Sequence, residues 1–355
     1  MPLHDFRSDT VTLPSPAMMA AIAAARLGDA ARGDDPTVAD LERCAREITG
    51  KDDALFVPSG TMANLAALLA HDCRGGEVIV EEAAHLYNSE GGGLSVVAGA
   101  VARPVKGRHG ILAPASIEAA IRGSANPAVA PTRLVCLENT HNAAGGTVMP
   151  VETMAAIHDV ARRAGIPVHL DGARLFNAAA HLEVPIGALC RPVDSLWFAL
   201  CKGLGGPVGA ILAGDAAFMR KARRAVRMLG GGMRQAGLIA APALVALDDP
   251  YPAHRRDHAL ARRLACGLAA IDARLVDADR VQTNIVNCHV DDADDIARDL
   301  GARDVLTLSR GKNRIRFVTH SQVDEASVDA AVDALADILA TRPNWSTPCR
   351  ESLPT

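Results

Sequence analysis

The sequence predicts an α/β fold in which a mainly parallel central sheet has helices on both faces, together with a smaller C-terminal α/β domain. Residues 166–170 and 195–200 are short and almost wholly apolar runs, as are strands that are buried on both faces. Helical segments alternate with such runs along the chain. With 355 residues, the chain is long for one hydrophobic core. We therefore expect a large domain at 1–248, which includes an N-terminal arm, and a small domain at 249–355.

The composition of the chain excludes several classes of function. Hydrophobic residues make up 49% of the chain and charged residues 22%, as in an ordinary soluble globular protein. A net charge of −4 and an aromatic content of 3% offer neither a basic surface nor stacking platforms to nucleic acid. The polar amino terminus lacks the apolar core of a signal peptide, and no apolar run is long enough for a membrane span.

Cysteine usage predicts a reducing compartment and no metal site. The chain has eight cysteines, and they are scattered without any CxxC pair. This spacing indicates neither a zinc site nor a redox motif. Because scattered thiols on apolar faces are typical of reduced proteins, we expect a cytoplasmic location.

The first 50 residues contain an arm followed by a well-marked helix. The arm at 5–35 is rich in turn residues, with a short helix expected at 18–25. Asp35 then provides an N-cap, Pro36 suits the first helical turn, and Gly50 ends the helix. Judged by residue type alone, Ser8 in the arm would be a turn residue.

The next motif is an SGT run between a strand at 54–57 and a helix. Ser59, Gly60 and Thr61 there offer hydroxyl groups, backbone N–H groups and the positive end of a helix dipole to an anion. The run has no GK[ST] ending, and it is therefore not a nucleotide P-loop. A plain N-cap is the alternative interpretation.

Two histidines follow later strands of the predicted sheet. His85 comes after a strand at 78–80, and His141 lies in the polar run ENTHN after a strand at 133–137. Polar residues at the carboxyl ends of parallel strands line one common rim. A histidine there is suited to proton transfer, although a structural, hydrogen-bonded histidine is the alternative at both positions.

An aspartate and a lysine follow the two most apolar strands. Asp171 comes directly after 166–170, and Lys202 follows 195–200 with a glycine-rich turn behind it. Two parallel strands about one βαβ unit apart deliver such residues to the same edge of the sheet. Pyridoxal phosphate (PLP) requires this pair, because a lysine forms a Schiff base with its aldehyde and an acid keeps its pyridine nitrogen protonated. A lysine that merely extends from a strand end into solvent is the alternative.

Three arginines are further candidates for binding anions. Arg174 could pair with Asp171 or with a substrate carboxylate, and Arg234 lies in the glycine-rich loop 230–237, where it could also be simply solvated. Arg316 belongs to a strand with apolar neighbours, a setting in which a guanidinium needs an anionic partner. This strand, expected at 313–318, belongs to the small domain, along with a strand near 281–290 and helices at 254–271 and 323–341.

Several motifs in order along the chain together resemble one family. The runs are DFRSDTVTLPSPAM, GDDPTVADLE, PSGTMANLAAL, AAHLY, LENTHN, HLDGARLFNAA, CKGLGGPVGA, GGGMRQAG and IRFVTH, from Asp5 to His320. They closely resemble the L-threonine aldolases of the low-specificity type, which are PLP enzymes of the aspartate-aminotransferase fold, fold type I. The resemblance implies cleavage of threonine, allo-threonine or related β-hydroxy-α-amino acids to glycine and an aldehyde. It also implies a homo-oligomer, dimer or tetramer, whose sites are shared between subunits.

The resemblance implies a role for each candidate residue. The catalytic residues would be Lys202, His85 and Asp171, with His85 stacked on the cofactor ring. The cofactor phosphate would be bound by Ser59, Gly60 and Thr61 and by Arg234 of a neighbouring subunit. The substrate would be bound by Ser8, Arg174, Arg316 and His141.

Three positions depart from the family pattern. Cys201 stands where serine is common, Arg32 where tyrosine is common, and Ala128 where some relatives have a second histidine. The identity of the base for the β-hydroxyl group and the preferred substrate side chain therefore stay open.

Other functions remain compatible with parts of the sequence. A β-eliminating lyase or an aminotransferase would use the same lysine and aspartate. A non-catalytic PLP-binding regulatory protein is a further alternative, although no basic helix-turn-helix segment is visible. A nicotinamide-dependent dehydrogenase lacks support, because no GxGxxG motif follows a strand.

Overall fold

The computed structural model describes residues 3–342, and these form two compact units. The larger unit is Thr12–Arg255, and the smaller unit combines residues 3–11 with 256–342. Residues 343–355, which the predicted small domain included, lie outside the described part of the chain. No helix within residues 3–342 combines the length and the hydropathy that a membrane crossing requires.

The larger unit contains most of the regular structure of the protein. Its strands are β2 (Asp53–Val57), β3 (Glu77–Glu81), β4 (Val101–Val105), β5 (Thr132–Glu138), β6 (Val168–Gly172), β7 (Ser195–Ala199) and β8 (Ala210–Gly214). Its helices are α1 (Pro16–Ala23), α2 (Pro36–Thr49), α3 (Gly60–Ala70), α4 (His85–Asn88), α5 (Gly93–Val96), α6 (Pro114–Ala120), α7 (Val151–Arg163), α8 (Leu175–Leu182), α9 (Ile186–Cys190), α10 (Ala216–Met228) and α11 (Gly237–Leu247). Helix α12 (Tyr251–Ile271) begins in this unit and continues into the smaller one.

The seven strands form one sheet in the order β2-β8-β7-β6-β5-β3-β4. All neighbouring pairs from β7 to β4 are parallel, whereas β8 is antiparallel to both β7 and β2. Strand β7 is buried throughout its length, with Leu196 and Phe198 in one hydrophobic cluster and Trp197 and Ala199 in another. Burial on both faces is the reason why this strand reads as a continuous apolar run.

The predicted helix after the arm has the expected ends. The Asp35 carboxylate accepts hydrogen bonds from the N–H groups of Thr37 and Val38, and Gly50 adopts the left-handed conformation that terminates helices. The expected helix at 18–25 forms as α1, two residues earlier, because Ser15 caps it and Pro16 starts it.

The smaller unit is built around a three-stranded antiparallel sheet in the order β11-β12-β9 and a parallel pair of β1 and β10. Its strands are β1 (His4–Asp5), β9 (Ile285–His289), β10 (Val305–Leu306), β11 (Leu308–Ser309) and β12 (Arg314–Val318), and its further helices are α13 (Ala293–Gly301) and α14 (Glu325–Ala340). The sequence predicts that the whole arm belongs to the large domain and that this domain ends at residue 248. Residues 3–11 instead group with the smaller unit, because β1 pairs with β10 and Phe6 is fully buried in its core.

Near the amino ends of β6 and β7, two histidines share one serine hydroxyl. His169 Nδ1 is 2.8 Å from Ser195 Oγ, and His71 Nε2 is 2.7 Å from the same oxygen. His169 is only 1% exposed, and burial lowers its pKa to about 3. Because the unfolded chain takes up a proton near pH 6.5 that the folded ring refuses, acid destabilises the fold through this residue.

Replacing His169 should make folding stability less sensitive to acid. We expect the free energy of unfolding of the native protein to fall as the pH drops below about 6.5, with His169 contributing roughly 1.4 kcal/mol per pH unit. In His169→Gln this contribution disappears, so the stability curve between pH 6 and 4.5 becomes flatter. Urea unfolding at each pH measures this, with exposed His289→Gln as the control. Equal slopes for His169→Gln and the native protein would contradict the assignment.

Candidate active site

Asp171 and Lys202 lie at the carboxyl ends of two adjacent parallel strands. Asp171 belongs to β6 and is paired in register with Trp197 of β7. Lys202 follows the end of β7, and its Nζ lies 5.8 Å from the centroid of the Trp197 ring. The structure thus brings both residues to one edge of the sheet, as the sequence predicts.

The turn around Lys202 depends on glycine. The Gly205 N–H donates to the Lys202 carbonyl oxygen at 2.7 Å, and Gly205 has a φ of +74°. A Cβ on Gly206 would lie 2.8 Å from the Leu200 carbonyl oxygen, closer than real contacts allow. A side chain at either position would strain the turn that carries the lysine.

Asp171 is buried next to two other carboxylates. Its Oδ2 accepts a hydrogen bond from Asn64 Nδ2 at 2.9 Å, and its Oδ1 accepts one from the Ala173 N–H at 3.1 Å. Burial raises the pKa of Asp171 to about 7, with further contributions from Glu138 and Glu90. The hydrogen bond from Asn64 and the Lys202 ammonium act in the opposite direction. A cation beside this carboxylate would therefore stabilise its ionised form.

His85 begins the short helix α4, and its ring is held by a second buried carboxylate. His85 Nδ1 is 3.0 Å from Glu90 Oε1, and the side chain of Glu90 is 1% exposed. The hydrogen bond to Glu90 is the main cause that raises the pKa of His85, while burial acts to lower it. Ligand-type atoms of His85, Glu90 and Asp171 lie within 4.8 Å of one another. The amide of Asn64 donates to both of these carboxylates.

Glu138 connects the histidine to the loop after β5. It lies opposite Asp171 in the register of β5 and β6. Its Oε2 accepts from the His85 N–H at 2.7 Å, and its Oε1 accepts from the Asn142 N–H at 2.8 Å. Asn142 Oδ1 in turn accepts from Arg174 Nη1 at 3.0 Å, so that one carboxylate positions two segments and, through Asn142, a buried guanidinium.

His141 is buried, and both of its ring nitrogens contact protein groups. Its Nε2 lies 3.0 Å from Glu81 Oε2, and its Nδ1 accepts from the Ala144 N–H at 3.3 Å. Burial acts to lower the pKa of His141, but the hydrogen bond to Glu81 and the negative charges of Glu138, Glu81 and Asp171 together raise it. In this arrangement both ring nitrogens of His141 contact protein groups, and its role in substrate binding stays a prediction.

The predicted phosphate-binding residues lie at the start of α3. Ser59 and Thr61 are exposed, and Ser59 Oγ accepts from the Met62 N–H at 3.2 Å as an N-cap. The N–H groups of Gly60 and Thr61 belong to the first turn, where an α-helix makes no internal bonds to them. A Cβ on Gly60 would lie 2.2 Å from the Trp197 ring, so glycine lets the helix end come close to β7.

Arg234, the other predicted phosphate-binding residue, is located on an exposed loop of the larger unit. None of its described contacts is with the residues at the start of α3. Its Nη1 lies 2.9 Å from Asp29 Oδ2, and 57% of its side chain is exposed. Arg32, one of the departures from the family pattern, lies 3.4 Å from the same carboxylate oxygen. Asp29 thus holds both arginines at one surface.

Ser8 and Arg316, the remaining predicted substrate-binding residues, belong to the smaller unit. Arg316 is 4% exposed, and its Nη2 donates to the Arg7 carbonyl oxygen at 3.1 Å. Ser8 is the next residue, and its Oγ accepts from the Thr10 hydroxyl at 2.9 Å. The fold of this unit therefore brings Ser8 and Arg316 close to each other.

The sequence assigns no specific role to four residues that the structure places in the site, and these are Asn64, Glu90, Glu138 and Trp197. Asn64 is a fully buried polar residue in the run MANLAALLA, and this contrast is the signal that could have identified it. Glu138 belongs to the LENTHN motif, but its contacts with two backbone N–H groups leave no trace in the sequence. For Glu90, five residues after His85, no sequence signal existed.

Comparison with known proteins identifies the family. A family model described as beta-eliminating lyase matches residues 5–292. Low-specificity L-threonine aldolase 1 of Arabidopsis thaliana is 39% identical over 345 residues, which cover 95% of this chain and 96% of the relative. The chain belongs to the beta-eliminating lyase family.

Several solved structures share the fold of this chain although their sequence identity to it is low. Threonine aldolase of Leishmania major has a TM-score of 0.81 and 22% identity, with 94% of this chain and 99% of that chain covered. A serine palmitoyltransferase variant from S. paucimobilis with a bound PLP–myriocin aldimine has a TM-score of 0.71 and 17% identity, with 94% of this chain and 86% of that chain covered. The α/β fold of the PLP-dependent type and the resemblance to threonine aldolases, both predicted from the sequence, are confirmed.

The residues of the larger unit fit PLP. The ring nitrogen of PLP is cationic when it is protonated. The buried carboxylate of Asp171 lies among other carboxylates, and together they make a cation favourable at this place. The aldehyde of PLP reacts with an amine, which Lys202 provides at the mouth of β7. Its phosphate matches the first turn of α3.

Removal of the negative charge of Glu138 should loosen the two segments that this residue joins. In Glu138→Gln an amide NH2 faces one of the two backbone N–H donors, so one charge-assisted hydrogen bond is lost. We expect amide hydrogen exchange in 83–88 or 140–144 to accelerate by about tenfold or more, the equivalent of roughly 1.5 kcal/mol. Glu152→Gln, at an exposed position in α7, is the control. Unchanged exchange in both segments would show that Glu138 does not hold them.

Proposed function

We propose that this protein is a PLP-dependent carbon–carbon lyase that cleaves β-hydroxy-α-amino acids of the threonine type to glycine and an aldehyde. The observation that carries this proposal is the placement of Asp171 on β6 and of Lys202 just after the end of the adjacent parallel strand β7. The chain has four other lysines. Lys51 donates to the Val193 carbonyl, Lys221 pairs with Asp72, and Lys106 and Lys312 are exposed.

The relatives point to the same reaction. The Arabidopsis relative is named as a low-specificity L-threonine aldolase, and it matches this chain along nearly its whole length. A β-eliminating lyase or an aminotransferase would share the lysine and the aspartate, and these alternatives are distinguished by products. Cleavage between Cα and Cβ gives an aldehyde and glycine, whereas the other two reactions give keto acids.

PLP supplies an electrophilic aldehyde and a ring that accepts the electron pair of the bond that breaks. Lys202 binds this aldehyde through its amine. Asp171, with both of its oxygens fixed by the donors Asn64 and Ala173, holds a proton on the ring nitrogen. Arg174, which donates to Asn142, binds the substrate carboxylate through its guanidinium.

His85 is the candidate for moving protons. A base must take the proton of the β-hydroxyl group as the Cα–Cβ bond breaks, and Cα must then receive a proton. The family resemblance gives His85 a position on the cofactor ring, and its imidazole suits both transfers. The assignment of Ser8 and Arg316 to the same carboxylate as Arg174 remains a prediction from the resemblance.

The protein is proposed to form a homo-oligomer, a dimer or a tetramer. Helix α1 has the sequence PAMMAAIA without a single charged or polar side chain, yet Met19 is 54% exposed and Met18 is the only buried residue in it. An apolar helix that one copy of the chain leaves exposed is suited to contact with a second copy.

The seven described cysteines are all unpaired thiols, and this supports a reducing, cytoplasmic location. Fractionation of cells that produce the protein would test this location.

Borohydride trapping tests the proposed function directly. Reduction of the PLP-loaded enzyme should fix the cofactor to the peptide that contains Lys202, and Lys202→Ala should abolish both this adduct and the release of aldehyde from threonine. Asp171→Asn should keep the adduct but lower kcat by two orders of magnitude or more, because the ring nitrogen loses its anionic partner. Lys106→Ala serves as the control. Cofactor found on another lysine, or keto acid in place of aldehyde plus glycine, would refute the proposal.

Complementation tests whether Arg234 acts on a neighbouring subunit. Lys202→Ala and Arg234→Ala should each be nearly inactive as pure proteins. After unfolding, mixing in equal amounts and refolding, random pairing into dimers should restore about a quarter of the native activity, because half of the dimers contain one intact site. Absence of restored activity in mixtures that light scattering shows to be oligomeric would place Arg234 outside a shared site.

A further inference from the structure

Glu90 is a buried carboxylate for which the proposed reaction has so far no use. Its side chain is 1% exposed, and one oxygen, Oε1, accepts from both Asn64 Nδ2 at 2.8 Å and His85 Nδ1 at 3.0 Å. A carboxylate in the interior is retained only when donors stabilise it. Here one of these donors is the imidazole that is the candidate for proton transfer.

The orientation of the Asn64 amide follows from its third partner. The Trp197 indole N–H, which can only donate, lies 2.7 Å from Asn64 Oδ1. Asn64 must therefore present its oxygen to Trp197 and its NH2 group to Glu90 and Asp171. Because an NH2 group only donates, the two carboxylate oxygens that face it carry no proton.

The protonation pattern then extends to His85. Glu90 Oε1 is an acceptor, so the hydrogen between it and the imidazole resides on Nδ1. In the neutral ring the other nitrogen, Nε2, has a lone pair, and it is the atom that can take a proton. Resting on the proposed function, we propose that Glu90, held by Asn64, is a positioning residue that fixes which ring nitrogen of His85 exchanges protons with the substrate.

The charges that face His85 come from several elements. Glu90 follows α4, Asp171 lies in β6 and Glu138 lies in β5, and all three contribute to the raised pKa of His85. Lys202 lies near Asp171 and acts on that carboxylate. Glu90 is the one that bonds directly to the ring, and its hydrogen bond is the largest contribution. Removing its charge therefore lowers the pKa of the imidazole.

The test is an NMR titration of the histidine ring nitrogens in ¹⁵N-labelled protein, with and without PLP. The His85 signals are identified by their loss in His85→Asn. In the native protein we expect the neutral ring to carry its hydrogen on Nδ1. In Glu90→Gln, an isosteric change, we expect the His85 titration to move to lower pH by about one unit. Glu90→Asp, which keeps the charge, should restore part of this shift, and Glu82→Gln, at an exposed position in the same segment, should not change it.

Enzyme kinetics supply a second readout with a defined sign. The acidic limb of kcat/KM against pH should move to lower pH in Glu90→Gln, because a base of lower pKa loses its proton at lower pH. An unchanged His85 titration and tautomer in a folded Glu90→Gln protein would overturn the proposal, as would a neutral native ring protonated on Nε2. Since the titration of the cofactor-free protein needs no catalysis, failure of the aldolase assay would refute the proposed function separately.

Discussion

A carboxylate remains ionised in the interior of a protein only if donors surround it, and the carboxyl edge of the large sheet assembles three carboxylates. Asp171, Glu138 and Glu90 are all at least 92% buried, and adjacent strands place the first two opposite each other. The amide of Asn64 bridges Asp171 and Glu90, and Trp197 fixes the direction of that amide. The rest of the site depends on this arrangement, because it makes the edge attractive to a cationic ring and supplies His85 with an acceptor.

The backbone amides around the site complete the same network. Glu138 uses both oxygens to hold the segments that begin at His85 and end at Asn142, and Asn142 holds Arg174. One buried side chain thus determines the relative positions of a candidate proton-transfer group and a candidate carboxylate-binding group. A site assembled from segments of three strands needs such a link, because loops that extend beyond a sheet have no ladder to fix them.

The departures from the family pattern concern the periphery of this network more than its centre. Arg32 shares the Asp29 carboxylate with Arg234, at the surface where the resemblance predicts a contribution to a second subunit. Ala128 lies between α6 and β5, outside the described helices and strands. Cys201 is half-buried and directly precedes Lys202, the residue that we propose binds the cofactor.

The sequence by itself determined the class of fold and the pair Lys202 and Asp171. Both conclusions rest on local signals, since apolar runs of strand length ended in charged residues, and parallel strands bring their carboxyl ends to one edge. For His85, Arg174 and the SGT run, the family motifs favoured the functional interpretation over the structural alternative. The tertiary structure alone decided that Glu90 and Asn64 belong to the site, because Asn64 meets Asp171 across 107 positions of the chain. It also decided the engagement of His141 with Glu81, a contact across 60 positions. No periodicity encodes such contacts, since they arise only when the packing of helices against the sheet removes these side chains from water.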